Sequence, residues 1–350
     1  VMVIALGAIA IGLVVGGSNL ISGTIADQWK AAGPPYLKLG VTPSLDDDQI
    51  RQLSRIEGVS QVEGQLNATI EYRLPGESEW KNALLQSRAD FATQQMEIIG
   101  LISGEWPGRG SLGVIKTADT LYGVGEGMTI EVRANDQIRR YPLSGTLKPV
   151  GPFPVVFLGN PVFYADRTTF TRLTGRDTFD TVVARDLTFD RAAVEATDLR
   201  IQDTFERSGG DSVGVLFPFQ NRIISPDVPP GTELLNAIFL ILGLIGGIII
   251  VLGVFLVYNS ISAIMTQQVS QIGVMKAIGA RPGQVLFGYA LMVASYGVLA
   301  ALIALPLGAL GARGLQSLFI NLLNMEDPGF SADPVAAGIM LAVSLAAPLL

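Results

Sequence analysis

An α-helical membrane protein with an inserted α+β domain is the fold class this sequence predicts, and three observations predict it. Apolar runs stand at residues 1–25, 234–261, 285–306 and 334–350, and about 20 apolar residues suffice to cross a bilayer. Between the first two lies a polar block, 26–233, with all but three of the 24 basic and all but three of the 31 acidic side chains. Between the second and third lies a short island, IMTQQVSQIGVMKAIGARPGQV, whose only charges are Lys276 and Arg281. The expectation is four transmembrane helices around one large external domain, the terminal helices cut from a longer chain.

The first run, VMVIALGAIAIGLVVGG, competes with a signal peptide. It lacks a basic leading segment and stays apolar through Leu20-Ile21, so a transmembrane helix is the better reading. Gly12 and Gly16 fall on one face of it, a spacing that lets membrane helices approach closely.

The polar block is long enough for one or two compact subdomains. Tyr36–Val41 alternates as a strand does, and Ser44 with Asp46, Asp47 and Asp48 reads as a helix start ending at Gly58. Val59–Leu74 and Asn82–Ser87 read as strands around the turn Pro75-Gly76-Glu77. Short β elements fill Val114–Val150, with a turn at Asn135-Asp136, and Asp190–Ser208 reads as an amphipathic helix. The segment from Pro226 to Gly231 is a linker, with Thr232 as the N-cap of the second membrane helix.

Several chemistries are excluded or disfavoured. The net charge of −7 argues against a nucleic-acid partner, which rewards clustered Lys and Arg. Cys and His are both absent, which removes disulfides, thiolate and imidazole metal sites, and histidine acid–base catalysis. Gly123-Val124-Gly125-Glu126-Gly127 lacks the dinucleotide-loop spacing and reads as a hairpin turn before the strand from Met128 to Val132. No Gly-Lys dipeptide occurs, so no Walker-type ATP loop is encoded. Metal, cofactor and catalytic residues are all expected to be absent.

Charge sets the topology. The cationic island is placed in the cytoplasm, so 26–233 lies outside; the connecting segment 307–333 also lies outside. Gly243 and Gly247 give the second membrane helix a small-residue face. No charge falls mid-span in the first three helices, against an ion pump or channel.

Within the cytoplasmic loop, 262–284, the residues have internal order. Ile264, Val269, Ile272 and Met275, with Val274 and Ile278 on a neighbouring strip, make an apolar side for a short amphipathic helix. Gly279 serves as its C-cap and Pro282 bars its continuation. Such a helix suits a helix-in-groove contact with a partner.

Gln271-Ile272-Gly273-Val274-Met275-Lys276-Ala277-Ile278-Gly279-Ala280 resembles the EIGVLKALGA signature of FtsX/MacB-like ATP-binding-cassette transporter permeases. The order of one helix, a large external domain and three further helices matches that family. Val114–Val150 also resembles the core of its external domain. Gln271 stands where the family usually carries Glu. The resemblance implies a permease subunit, or half of a fused one, in a bacterial plasma (inner) membrane. It implies a cytoplasmic ATPase partner that holds the ATP, a second permease copy or half, and an extracytoplasmic substrate or partner protein. A coupled regulator of a cell-envelope hydrolase and a membrane-tethered sensor without an ATPase are the alternative readings.

Overall fold

Among the described residues, ten strands form the sheet of the polar block, and the pairing of six of them closes a ring. The computed structural model describes residues 1–134, 137–148, 159–207, 209–213, 222–229, 232–323 and 325–346. The chain divides into two units: Val1–Thr24 with Glu233–Ile320 and Asp327–Leu350, and Ile25–Thr232 with Asn321–Glu326. Asn135 and Asp136, read as a turn, and Pro230 and Gly231 of the linker lie outside the described residues.

In the polar unit, β2 (Gln61–Arg73) pairs β3 (Lys81–Arg88), and β3 runs parallel to β8 (Val162–Tyr164). Strand β8 pairs β5 (Leu112–Ile115), which runs parallel to β7 (Gln137–Lys148). Strand β7 pairs β6 (Thr129–Ala134), and β6 returns to the far end of β2 at Glu71–Arg73. The six strands therefore form a closed cycle. Leu66, Leu85, Ile130, Val132, Leu147 and Phe163 are fully buried, each burial being worth about 1.5–3 kcal/mol. The Tyr72 and Phe163 rings meet edge-on at 5.2 Å.

The near end of β2 leaves this ring. Gln61–Gln65 pairs β9 (Phe179–Arg185), which pairs β1 (Leu37–Leu45), with β10 (Asp211–Val213) at the edge. Strand β4 (Gly100–Gly104) flanks β7.

Four helices punctuate the sheet. Helix α3 (Asp47–Leu53) is capped by Asp46, whose carboxylate accepts from Gln49 N while Gln49 Oε1 accepts from Asp46 N. Ser44 lies inside β1 and is not the cap, because the strand continues to Leu45. Helix α4 (Ala118–Tyr122) ends on Gly123 at φ 67°, so the Gly123–Gly127 run joins a helix to β6 and is not a hairpin turn between strands. Helices α5 (Arg167–Thr174) and α6 (Arg191–Arg207) complete the set, α6 burying Val194, Ile201 and Phe205. Residues Asn321–Glu326 fold with this unit: Lys116 Nζ donates to Met325 O (3.3 Å), and Lys148 pairs with Glu326 at 3.1 Å.

The helical unit opens with α1 (Met2–Ile11) and α2 (Gly17–Ala31), joined through a π-helical stretch at Gly12–Gly16. Helix α7 (Thr232–Ala277) follows, its first hydroxyl donating to Pro229 O instead of capping. Helix α8 (Pro282–Leu322) and α9 (Pro334–Ala346) end the described chain. Among the described residues, three helices are long and apolar enough to cross a membrane, Met2–Ala31, Thr232–Leu256 and Pro282–Leu322, and Pro334–Ala346 is a shorter apolar helix.

Two sequence expectations are corrected here. The island 262–284 is not a separate helix, because α7 runs through it to Ala277: no Pro lies within α7, and its Gly246-Gly247 pair does not break it. The connecting segment does not begin at 307, because α8 continues through Pro306. A membrane helix tolerates such a proline when neighbouring groups re-satisfy its freed backbone.

Candidate functional site

The ten residues that carry the sequence signature stand at the end of α7. Helical backbone reaches Ala277, after which Ile278 N donates to Val274 O (3.1 Å) and Ala280 N to Met275 O (3.0 Å). Gly279 has φ 98°, the left-handed conformation that reverses the chain into α8. No atom lies within 4 Å of where a Cβ at Gly279 would sit, so its requirement for glycine is conformational. Arg281 N donates to Gln284 Oε1 at 3.0 Å, which caps the start of α8.

Exposure divides the apolar side chains of this segment. Val274 is 61% exposed and Ile278 81%, whereas Ile272 and Met275 are half-buried. Gln271, Gly273, Ala277 and Gly279 are exposed, Ala280 is half-buried, and the Lys276 side chain lies outside the described residues. An apolar strip in water is unfavourable unless something covers it. Val269, on the main apolar side, is 62% exposed, so the accessible apolar residues come from both strips.

The glycine pairs differ in their surroundings. A methyl at Gly12 would overlap Met340 and lie 3.2 Å from Gly308 Cα; one at Gly16 would lie 3.2 Å from Ala336 Cβ and 3.3 Å from Ala312 Cβ. Small residues there let α1, α8 and α9 approach closely. Gly243 and Gly247 have nothing within 4 Å of the same position among the described residues.

The polar unit holds a buried charge cluster that sequence reading missed. Lys38 Nζ reaches both carboxylate oxygens of Glu97 at 2.7 Å, and Gln65 Nε2 donates to Glu97 Oε2 at 2.7 Å. Glu97 has φ 48°, in the left-handed region, and is 3% exposed. Its N–H donates to Gly33 O (3.0 Å), which ties this segment to the residues just after α2. Burial opposes ionisation of Glu97, but Lys38 and then Arg88 outweigh it, so its carboxyl sits below the ordinary value. Burial lowers the Arg88 guanidinium and raises the carboxyl of neighbouring Glu63. No local pattern announces this cluster, because its members come from β1, β2, β3 and a loop. Among the described residues no group of three Asp, Glu, His or Cys is placed to hold a metal.

Comparison with known proteins adds the following. Residues 243–350 match the model of the FtsX-like permease C-terminal family, a span that contains the α7–α8 turn. No curated protein matches the chain. The extracellular domain of the noncanonic ABC-type transporter YknZ from Gram-positive bacteria is similar at 14% identity and a TM-score of 0.35, over 51% of this chain and 100% of that one. The periplasmic region of MacB from Actinobacillus actinomycetemcomitans is similar at 9% identity and 0.35, over 52% and 90%. From Gly243 to Leu350, about a third of its length, the chain is similar to the FtsX-like permease C-terminal family.

Proposed function

We propose that the chain is a permease subunit, or half of a fused permease, of an ATP-binding-cassette transporter. It would pass the ATPase's movement to its polar domain outside the membrane, for export or extraction of a substrate. The observation that carries this reading is the end of α7: a family-matched helix that ends in an exposed Val274–Ile278 strip and a left-handed Gly279. Helix α7 has 46 residues, about 70 Å at 1.5 Å per residue, against a hydrocarbon core of roughly 30 Å. A helix of that length without a break extends well past one membrane face, and a rigid rod transmits displacement that a flexible loop absorbs.

The reading assigns ATP binding and hydrolysis to a separate cytoplasmic subunit, since the chain has no Walker-type loop. It assigns the Gly243/Gly247 face, open in this chain, to a second permease copy or half. Lys276 and Arg281, without acidic neighbours, keep the α7–α8 turn cytoplasmic and the polar unit outside.

The test is purification of the tagged chain from native membranes with and without Ile278→Asp. An ATP-binding-cassette ATPase should accompany the wild-type chain and be absent from the variant. Retention of the ATPase by the folded variant removes the turn from the coupling role.

A further inference from the structure

We propose that the cavity bounded by α3, β2 and the segment after β3 binds a small carboxylate with an apolar body, through the Arg88 guanidinium. The cavity measures about 470 Å³ and is lined in part by Ile50, Val62, Arg88, Thr93 and Phe179. That volume falls within the range of small-molecule sites, which combine apolar walls with a few polar groups.

Arg88 is what makes the cavity more than a packing gap. The residue is 4% exposed, and no carboxylate lies within ion-pair distance of it among the described residues. Its Nη1 donates to Ser87 O at 3.3 Å, and its Nε, buried, meets no acceptor. A buried guanidinium N–H without an acceptor is costly, and buried charges are normally paired.

The nearby acids are already engaged. Glu97 spends its oxygens on Lys38 and Gln65. Glu63 Oε1 accepts from Gln95 N (2.6 Å) and Met96 N (3.2 Å), and Asp47 forms a two-pronged pair with Arg167 at 2.9 and 2.7 Å. An incoming carboxylate would reach the guanidinium by the Arg88 atoms that line the cavity, since Nε itself is closed to solvent. Asp47, Glu63 and Asp90 at the same cavity disfavour a doubly charged phosphate. Ile50, Val62 and Phe179 favour an apolar body behind the charged head.

The experiment titrates the full chain in nanodiscs with 3-phenylpropionate by calorimetry, with 3-phenylpropionamide and inorganic phosphate as controls. Saturable binding of the carboxylate is expected, with both controls weaker by about tenfold or more, as loss of a charge-assisted bond implies. Arg88→Gln should weaken carboxylate binding by about the same factor. Thr93→Trp, at an exposed wall position, should block binding while leaving thermal stability unchanged, and it decides the matter if Arg88→Gln does not fold. Absence of saturable binding, equal affinity for the amide or phosphate, or undiminished affinity in either folded variant overturns the proposal. Arg88 is then a structural charge beside a solvent-filled gap.

Discussion

Lys38 and Glu97 form an ion pair that is almost entirely dry: Nζ reaches both carboxylate oxygens at 2.7 Å, with side-chain exposures of 10% and 3%. The pair links β1 to the loop that hydrogen-bonds Ala32 and Gly33 just after α2. A buried pair gives little net stability compared with apolar residues, but removing one member strands the other. Glu97→Ala should therefore destabilise the protein by about 3–5 kcal/mol, with Lys38→Met/Glu97→Leu recovering most of the loss. Thermal unfolding of the full chain in detergent measures both. A loss below about 1 kcal/mol in Glu97→Ala would match an exposed pair and remove the dry-pair account.

The same cluster predicts opposing pH effects. Glu97 has a folded pKa below its ordinary 4.5, so its stabilisation is present above pH 4.5 and is lost as pH falls through the lower folded value. Glu63 has the opposite sign: its folded pKa lies above 4.5, so its ionisation costs stability as pH rises from 4.5 through the folded value. Gln can still accept the two backbone N–H bonds that Glu63 accepts. Glu63→Gln should thus raise the melting temperature at pH 7 and change it less at pH 4. Equal shifts at both pH values would show that the carboxyl is not titrating between them.

What the sequence revealed and what it hid follow from the range of the interactions. Helix α6 was legible because Val194, Ile201 and Phe205 recur at helical spacing on one buried face. The strands β2 and β3 were legible from their composition and the Pro75–Glu77 turn. The helix start was legible as Ser44 with Asp46, Asp47 and Asp48, and only the extent of β1 shows that Asp46 is the residue that caps it. The closed ring, the parallel pairs β3–β8 and β5–β7, and the Lys38–Glu97 contact join residues far apart in sequence, and local pattern carries no record of such pairing. At the α7–α8 turn, Gly279 and Pro282 marked the stop, while the continuity of α7 agrees with the lack of any Pro upstream within it.

The glycine faces should respond differently to the same change. Gly12→Val would drive its side chain into Met340 and against Gly308, and overpacking of this kind costs about 1–3 kcal/mol or more. Gly243→Val meets nothing within 4 Å among the described residues, so the fold should tolerate it. Melting in detergent should show a clear loss for the first and little change for the second. If Gly243 faces a second permease copy, its valine variant should also shift the complex toward monomer on native gels.

The last prediction concerns how the end of α7 works, and three sets of substitutions separate its parts. Ile278 is 81% exposed and Val274 61%, so charges there disturb no packing within the chain. If a partner's groove buries them, Ile278→Asp or Val274→Asp removes about 1.5–3 kcal/mol of apolar burial and adds a desolvation cost. Both variants should keep the melting temperature and lose co-purification with the ATPase. Ile272 and Met275 are half-buried, so Ile272→Asp and Met275→Asp should lower stability as well as binding. Gly279→Val tests geometry: φ 98° disfavours any side chain, and left-handed backbone costs a branched residue about 1–2 kcal/mol or more. That variant should bind the ATPase with reduced affinity while the angle between α7 and α8 changes, so ATP hydrolysis continues with weakened stimulation by the permease. Gly279→Asn, which enters the left-handed region more readily, should restore most of the stimulation. Equal behaviour of Val and Asn at this position would show that the left-handed turn plays no part in coupling, whatever the apolar strip contributes to binding.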